Sequence, residues 1–315
     1  MLPREEAKQT EAKDGEMRAF VTGGTGFIGS NLTKRLVQTG HDVVVTGTIT
    51  EQRIPDSVTL LTPGLVGIDW KRIGKMDVLF HLAANNNTES QDAEEMYHAN
   101  VEASRELFER VVRSGCKQIV YASSTAVYGS SPSPYVEEKT QLSSTTPYGK
   151  SKAMLERFAQ DFQNRNPQVT LAGLRFCNVY GPAESHKGRR ASMIYQLARQ
   201  MQAGSRPRIF RSGEQKREWL YVEDAVEALL RAAGASGVVN CGTGHPWSFN
   251  EIVRTLNEVL GTSLEPEYFD NPHADSYQSH IQCDMSLAKE KIGFEARIDL
   301  RAGNAKYKNS GALTS

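Results

Sequence analysis

The sequence predicts a doubly wound α/β fold: a parallel sheet with helices on both faces, and a smaller lobe formed by the C-terminal part of the chain. Three observations carry that expectation. The apolar run Arg18–Thr22 passes directly into Gly23-Gly-Thr-Gly26-Phe27-Ile28-Gly29, then into the helical spacing Leu32, Leu36, Val37, and after Gly40 into a second apolar run, Val43–Val45. Further apolar runs at Val58–Leu61, Val78–Leu82, Gln118–Ala122 and Val169–Phe176 alternate with helical patterns, the signature of parallel strands joined by crossover helices. Small or polar residues stand where several of these runs end, the edge at which open parallel sheets hold ligands.

Taken in order, residues 1–16 are polar and charged and read as a disordered tail, with no apolar segment of the secretory kind. Strand, three spaced glycines, helix and second strand then make a dinucleotide-binding unit. Gly23, Gly26 and Gly29 permit a tight turn and a close backbone approach to a pyrophosphate, and Phe27 and Ile28 open the helix whose N-terminus faces the phosphates. At the end of the second strand, Thr46-Gly47-Thr48 replaces the acidic residue expected to hold the adenosine ribose hydroxyls. With no carboxylate to repel a 2′-phosphate, and with Arg53 a few residues on, NADP is favoured over NAD as the bound cofactor. His81-Leu82-Ala83-Ala84 runs into Asn85-Asn86-Asn87-Thr88, and Tyr121-Ala122-Ser123-Ser124 into Tyr128-Gly129. Both are strand ends that can reach a ligand.

Pro147 suits a first helical position, so Tyr148 and Lys152 project from one helical face, one turn apart. A phenol beside an ammonium has its pKa lowered and can exchange a proton with a sugar hydroxyl. Met154, Leu155, Phe158, Ala159 and Phe162 continue the apolar seam of that helix. An earlier broad apolar face runs from Met96 through Tyr97, Asn100, Val101, Leu107 and Phe108 to Val111. The two helices could pack on the sheet or form a homo-oligomer interface. Later patterns give a strand at Trp219–Val222, a helix at Ala225–Ala233, a strand at Val238–Cys241 and a helix at Phe249–Leu260. The expected division is residues 17–177 for the dinucleotide-binding domain and 178–315 for a substrate-binding lobe, with segments near 218–242 returning to the sheet. The site should lie in the cleft between them.

Composition narrows the partners. Lys plus Arg and Asp plus Glu number 37 each, so no overall charge points to nucleic acid or to a membrane surface. The four cysteines stand singly and fit a reducing cytoplasm, and the seven histidines show no metal-ligand spacing. An anion site must therefore be local. Arg206, Arg208, Arg211, Lys216 and Arg217 supply cations within a short span, and arginine suits bidentate phosphate contacts.

With Gly23-x-x-Gly26-x-x-Gly29, Ser124 four residues before Tyr128-Gly129, and Tyr148-x-x-x-Lys152, the chain resembles the extended short-chain dehydrogenase/reductases that act on nucleotide sugars, over about residues 17–300. The resemblance implies a Rossmann domain with Tyr148 as acid/base, Lys152 as its electrostatic partner and cofactor-ribose ligand, and Ser124 as the hydroxyl that bonds the substrate. Asn100 falls where that family has a structural asparagine and is assigned to the cofactor side. Thr48, Leu82, Ala83, Ala84, Ala122 and Val179 complete the implied cofactor contacts. The segment Leu174-Arg-Phe-Cys-Asn178-Val179-Tyr-Gly181-Pro-Ala-Glu-Ser-His186-Lys187-Gly188 resembles the corresponding segment of the ADP-glyceromanno-heptose 6-epimerases. It implies Lys187 as a second proton-transfer group, and Asn86, Asn178, Arg189, Gln196, Phe210, Arg217 and Tyr277 on the substrate side. Arg189 stands for a serine there, Gln196 for a histidine and Gly47 for an acid. The implied activity is nucleotide-sugar epimerisation. A 4-epimerase, a reductase and a 4,6-dehydratase stand beside it, although Thr125-Ala126 replaces the Asp-Glu of a dehydratase. A non-catalytic dinucleotide-binding regulator is the reading from another class.

Overall fold

The computed structural model describes residues 16–48, 54–62, 68–272 and 278–313. The N-terminal tail, Arg53 and Tyr277 lie outside them. Seven parallel strands form the central sheet in the order β11-β6-β5-β4-β1-β2-β3. They are β1 Arg18–Thr22, β2 Asp42–Thr46, β3 Thr59–Leu61, β4 Val78–His81, β5 Gln118–Ser124, β6 Thr170–Phe176 and β11 Gly237–Cys241. The strand order reverses between β1 and β4, and the sheet meets its ligand edge there.

Alternation along these strands divides the core. Val21, Val43, Val45, Phe80 and Val120 face α1 (Phe27–Gln38) and α7 (Val222–Ala232), where Leu32, Leu36, Ala225 and Leu229 pack on them. Phe20, Val44, Leu79, Ile119 and Leu171 face the other way. They meet Leu107, Phe108 and Val111 of α4 (Ala103–Arg113) and Leu155, Ala159 and Phe162 of α5 (Pro147–Arg165). A sheet buried on both faces needs apolar residues at nearly every position, so its strands appear as unbroken apolar runs.

The second lobe has its own core. Ile194, Leu197 and Met201 of α6 (Met193–Gln202) pack with Phe249, Ile252 and Leu256 of α8 (Phe249–Leu260), and with Leu300 and Tyr307 of α10 (Leu300–Asn309). Of the segment near 218–242, β11 joins the main sheet beside β6. Strand β10 (Trp219–Tyr221) instead pairs with β7 (Asn178–Tyr180). Strands β8 (Arg208–Phe210) and β13 (Glu267–Phe269) form another parallel pair. Among the described residues no helix is long and apolar enough to cross a membrane, and no group of three His, Cys, Asp or Glu is placed to hold a metal ion.

Candidate active site

The glycine turn lies against two strand ends at once. Gly23 has φ +68°, and a Cβ there would stand 2.8 Å from the Ala83 nitrogen, so glycine is needed both for the conformation and for the approach to the end of β4. Gly24 donates to the Thr46 carbonyl at 2.8 Å, fastening the turn to β2. A Cβ on Gly29 would run into the Gly23 carbonyl, so the helix can start close to the turn only with glycine there. Helix α1 begins without a side-chain cap and without an acid in its first turn, which leaves its first N–H groups open to an anion. A dinucleotide pyrophosphate fits that cradle. Exposed Thr48 follows the buried Gly47 at the end of β2.

Beneath the turn, the imidazole of His81 sits between the hydroxyls of Thr22 and Ser104, 2.7 Å from each. Burial, with Lys152 adding to it, pushes its pKa down to about 3, so it is neutral. Leu82 donates to the Thr22 carbonyl and Ala83 to the Thr22 hydroxyl, setting the path of the strand end that carries Ala84. Asn100 stands in a widened turn, His98–Glu102, between α3 (Ala93–Tyr97) and α4. Its Oδ1 accepts from Asn85 N at 2.7 Å, and its Nδ2 donates to Asn85 O at 2.9 Å and to Ser151 Oγ at 3.0 Å. Its amide is therefore directed to protein groups that fix the strand end carrying Asn85.

Ser124, Tyr148 and Lys152, the residues expected to carry proton transfer, come together where α5 meets the end of β5. Pro147 opens α5 as expected, with the Thr146 hydroxyl capping Gly149 N at 3.1 Å. A Cβ on Gly149 would collide with Ser144 and lie 2.6 Å from the Ala126 carbonyl, so glycine lets α5 press on the 3-10 turn Thr125–Tyr128 that follows Ser124. The Ser124 hydroxyl caps that turn at Ala126 N, 3.1 Å away, and acts on the Tyr148 phenol to lower its pKa. Lys152 is buried, donates from Nζ to the Ala122 carbonyl at 2.9 Å and lies 5.9 Å from the centroid of the Tyr148 ring.

Electrostatics here departs from the expectation. The Tyr148 phenol is raised by burial and only partly brought back by Ser124, with no lowering by the lysine. Lys152 is itself lowered to about 8 by burial, against which Glu156 acts to raise it. Sequence spacing shows an ammonium near a phenol but says nothing of the desolvation both undergo.

Behind Lys152 lies a buried polar assembly that the sequence reading missed. Arg175 of β6 grips Glu156 of α5 through Nε (2.9 Å) and Nη2 (2.7 Å), and Ser123 donates to the same carboxylate at 2.5 Å. Arg175 also donates to the Tyr128 hydroxyl at 2.8 Å, which donates to Asn240 of β11 at 2.6 Å. The only sequence signal was a glutamate one turn beyond Lys152.

The 3-10 segment Ser185–Arg190 carries Lys187. The ammonium of Lys187 lies 5.3 Å from the centre of the Phe27 ring, at the start of α1, so the structure brings it to the cofactor helix. Burial lowers its pKa; Glu184 opposes the shift and Arg190 adds to it. Buried Glu184 holds the loop by accepting from Gly181 N (3.1 Å), Ser192 N (2.5 Å), Ser192 Oγ (2.8 Å) and the Tyr307 hydroxyl (3.1 Å).

The substrate-side residues are less uniform. Asn178 donates to the Glu218 carbonyl at 3.1 Å beside half-buried Val179. Gln196 directs its amide nitrogen to the carbonyls of Arg189 and Ala191, so that group holds the loop. Arg189 is exposed; it is Arg190 that reaches Asn86, at 3.5 Å. Phe210 packs edge-on against Phe269. Arg217 is buried and donates to the carbonyls of Lys216 (2.8 Å) and Gln278 (2.5 Å). Three further cations of that run are engaged by protein groups. Arg206 donates to the carbonyls of Glu265 and Pro266, Arg208 pairs with Glu267 and Arg211 with Asp270.

A glycine turn on an uncapped helix, with Ser, Tyr and Lys converging at the next strand end, defines a dinucleotide-dependent enzyme of the Rossmann class. Residues 19–242 match the NAD dependent epimerase/dehydratase family, and the chain belongs to it. It is 33% identical to the ADP-L-glycero-D-manno-heptose-6-epimerase of Alkalilimnicola ehrlichii, over 91% of this chain and 95% of that one. The crystal structure of the Helicobacter pylori ADP-L-glycero-D-manno-heptose-6-epimerase superposes with a TM-score of 0.85 at 29% identity, covering 95% of this chain and 97% of the other. MoeE5 in complex with UDP-glucuronic acid and NAD gives 0.82 at 30% identity, covering 95% and 100%.

Proposed function

We propose that this protein epimerises a nucleotide-diphosphate sugar by transient oxidation, with the heptose class as the substrate its relatives favour. The convergence of Ser124 and Lys152 on Tyr148, with the Lys152 ammonium 5.9 Å from the centre of the phenol ring, is the observation that carries the reading. The bound dinucleotide supplies a hydride acceptor that returns what it takes, so no net redox change follows. Phe27, Ile28 and Gly29 offer it backbone N–H groups, and Leu82, Ala83, Ala84 and Ala122 line the strand ends beside it. Tyr148 accepts the proton of the sugar hydroxyl as the carbon is oxidised and gives it back on return. Ser124 shares that oxygen, and Lys152 stabilises the phenolate when charged.

Inverting a side-chain carbon turns the carbonyl between the two hydride transfers, so its oxygen meets a second proton donor. Lys187 fills that role in this reading: it is partly desolvated, lowered in pKa and held against the cofactor helix. Arg217, Asn178, Asn86 and Arg190 are assigned to the nucleotide diphosphate and sugar. NADP is preferred over NAD because Gly47 brings no carboxylate to the adenosine ribose. Self-association through the outer faces of α4 and α5 is part of the same reading, with Met154 exposed there.

The test is turnover of ADP-, GDP-, UDP-, CDP- and dTDP-linked sugars, read by product stereochemistry and by absorbance of the reduced nicotinamide. Epimerised product with no net reduction is the expected outcome. Stoichiometric reduction or loss of water without epimerisation would replace this reading with a reductase or a dehydratase. Binding without any turnover would favour the regulator.

A further inference from the structure

The reason for glycine at position 47 is visible only in three dimensions. Gly47 does not have a left-handed φ, so its backbone would accept any L residue. A Cβ there would overlap the Thr25 hydroxyl oxygen, and it would stand 2.6 Å from Thr25 Cγ2 and 2.7 Å from Thr25 Cβ. Thr25 belongs to the glycine turn, is only 2% exposed and has little room to withdraw. The turn itself has no slack: Gly24 is bonded to the Thr46 carbonyl, and a Cβ on Gly24 would meet Val45 Cβ at 2.6 Å. The side chain of residue 25 thus fills the space in which a side chain at 47 would begin.

Position 47 follows β2 directly, where a dinucleotide fold presents a carboxylate to the ribose 2′-hydroxyl. We infer that Thr25 is a cofactor-selecting residue: by filling the side-chain space of position 47 it keeps a carboxylate away from the adenosine ribose and leaves room for a 2′-phosphate. The inference rests on the cofactor reading above. A substitution at 47 alone does not install a ribose-binding acid, because the incoming side chain displaces the turn that cradles the pyrophosphate. Selectivity belongs to the pair.

The test is a set of variants on cofactor-stripped protein, with dissociation constants for NAD and NADP from calorimetry and melting temperatures alongside. Gly47→Ala and Gly47→Asp weaken both cofactors by about 10-fold or more, with little change in their ratio. In the Thr25→Gly background, Gly47→Ala binds as Thr25→Gly does, and Gly47→Asp moves the ratio toward NAD by about 10-fold or more. If Gly47→Ala is not rescued by Thr25→Gly, in folding or in binding, Thr25 is not what demands glycine and the inference falls. It also falls if Gly47→Asp alone changes the ratio as much as the double variant. The wild-type ratio is a separate measurement: a preference for NAD removes the NADP reading, while the coupling of 25 and 47 is judged from the variants.

Discussion

The two lysines of the candidate site sit in different surroundings. Lys152 rises from the first turns of a nineteen-residue helix, is hydrogen-bonded to a strand carbonyl and is backed by the Glu156–Arg175 pair. Lys187 sits in a six-residue 3-10 segment, rests on the face of Phe27 and has Glu184, three residues before it in sequence, as the charge that opposes its pKa shift. Burial lowers both pKa values, yet only Lys152 is fixed by a direct hydrogen bond among those described. The contacts around Lys152 hold one geometry. Lys187 stands on a loop that Glu184 and Gln196 hold by its backbone, which suits the second proton-transfer role proposed for it.

That contrast can be broken most forcefully at Tyr148. Tyr148→Phe lowers turnover by roughly two to four powers of ten, the usual worth of a positioned acid/base, while the melting temperature and cofactor affinity stay near wild type. Near-normal turnover would remove the phenol from the account. Glu156→Gln comes next and acts on stability. It leaves Arg175 buried without its counter-charge, and the expected loss is about 3–5 kcal/mol by denaturant unfolding. An unchanged unfolding midpoint would mean that the pair does not anchor the helix.

The pH profile gives a smaller effect. Lys152 is protonated below about 8 and neutral above it, so the contribution of its charge to turnover is present at pH 7 and lost as pH rises through 8. The same depressed pKa makes the buried ammonium a cost to the cofactor-free fold below pH 8, relieved between there and the ordinary lysine value near 10.4. Lys152→Met should therefore raise the melting temperature of stripped protein at pH 7 by a few degrees, corresponding to about 1–3 kcal/mol, while lowering turnover. A fall in melting temperature would show that the bond to the Ala122 carbonyl outweighs desolvation.

How much of this could be read from the sequence follows the same divide. The glycine turn, Ser124 and the Tyr148–Lys152 spacing are legible because each rests on one or two consecutive elements whose geometry the backbone dictates. Residues whose partners come from afar were not legible. Arg208 and Arg211 suggested a phosphate site, but their acids lie on or beside β13, Glu267 and Asp270, 59 residues on in each case. Arg190 reaches Asn86 across 104 residues. Gly47 read as a missing acid, and only the fold reveals that Thr25 stands in its place.

In the proposed reading Tyr148 and Lys187 act as separate proton-transfer stations, and Lys187→Met tests that directly. Single-turnover kinetics with the natural nucleotide sugar, followed at the reduced-nicotinamide band and by product stereochemistry, should show one hydride half-reaction with reduced cofactor accumulating and no epimerised product. Wild-type epimerisation by Lys187→Met would contradict the account and leave Tyr148 as the single acid/base.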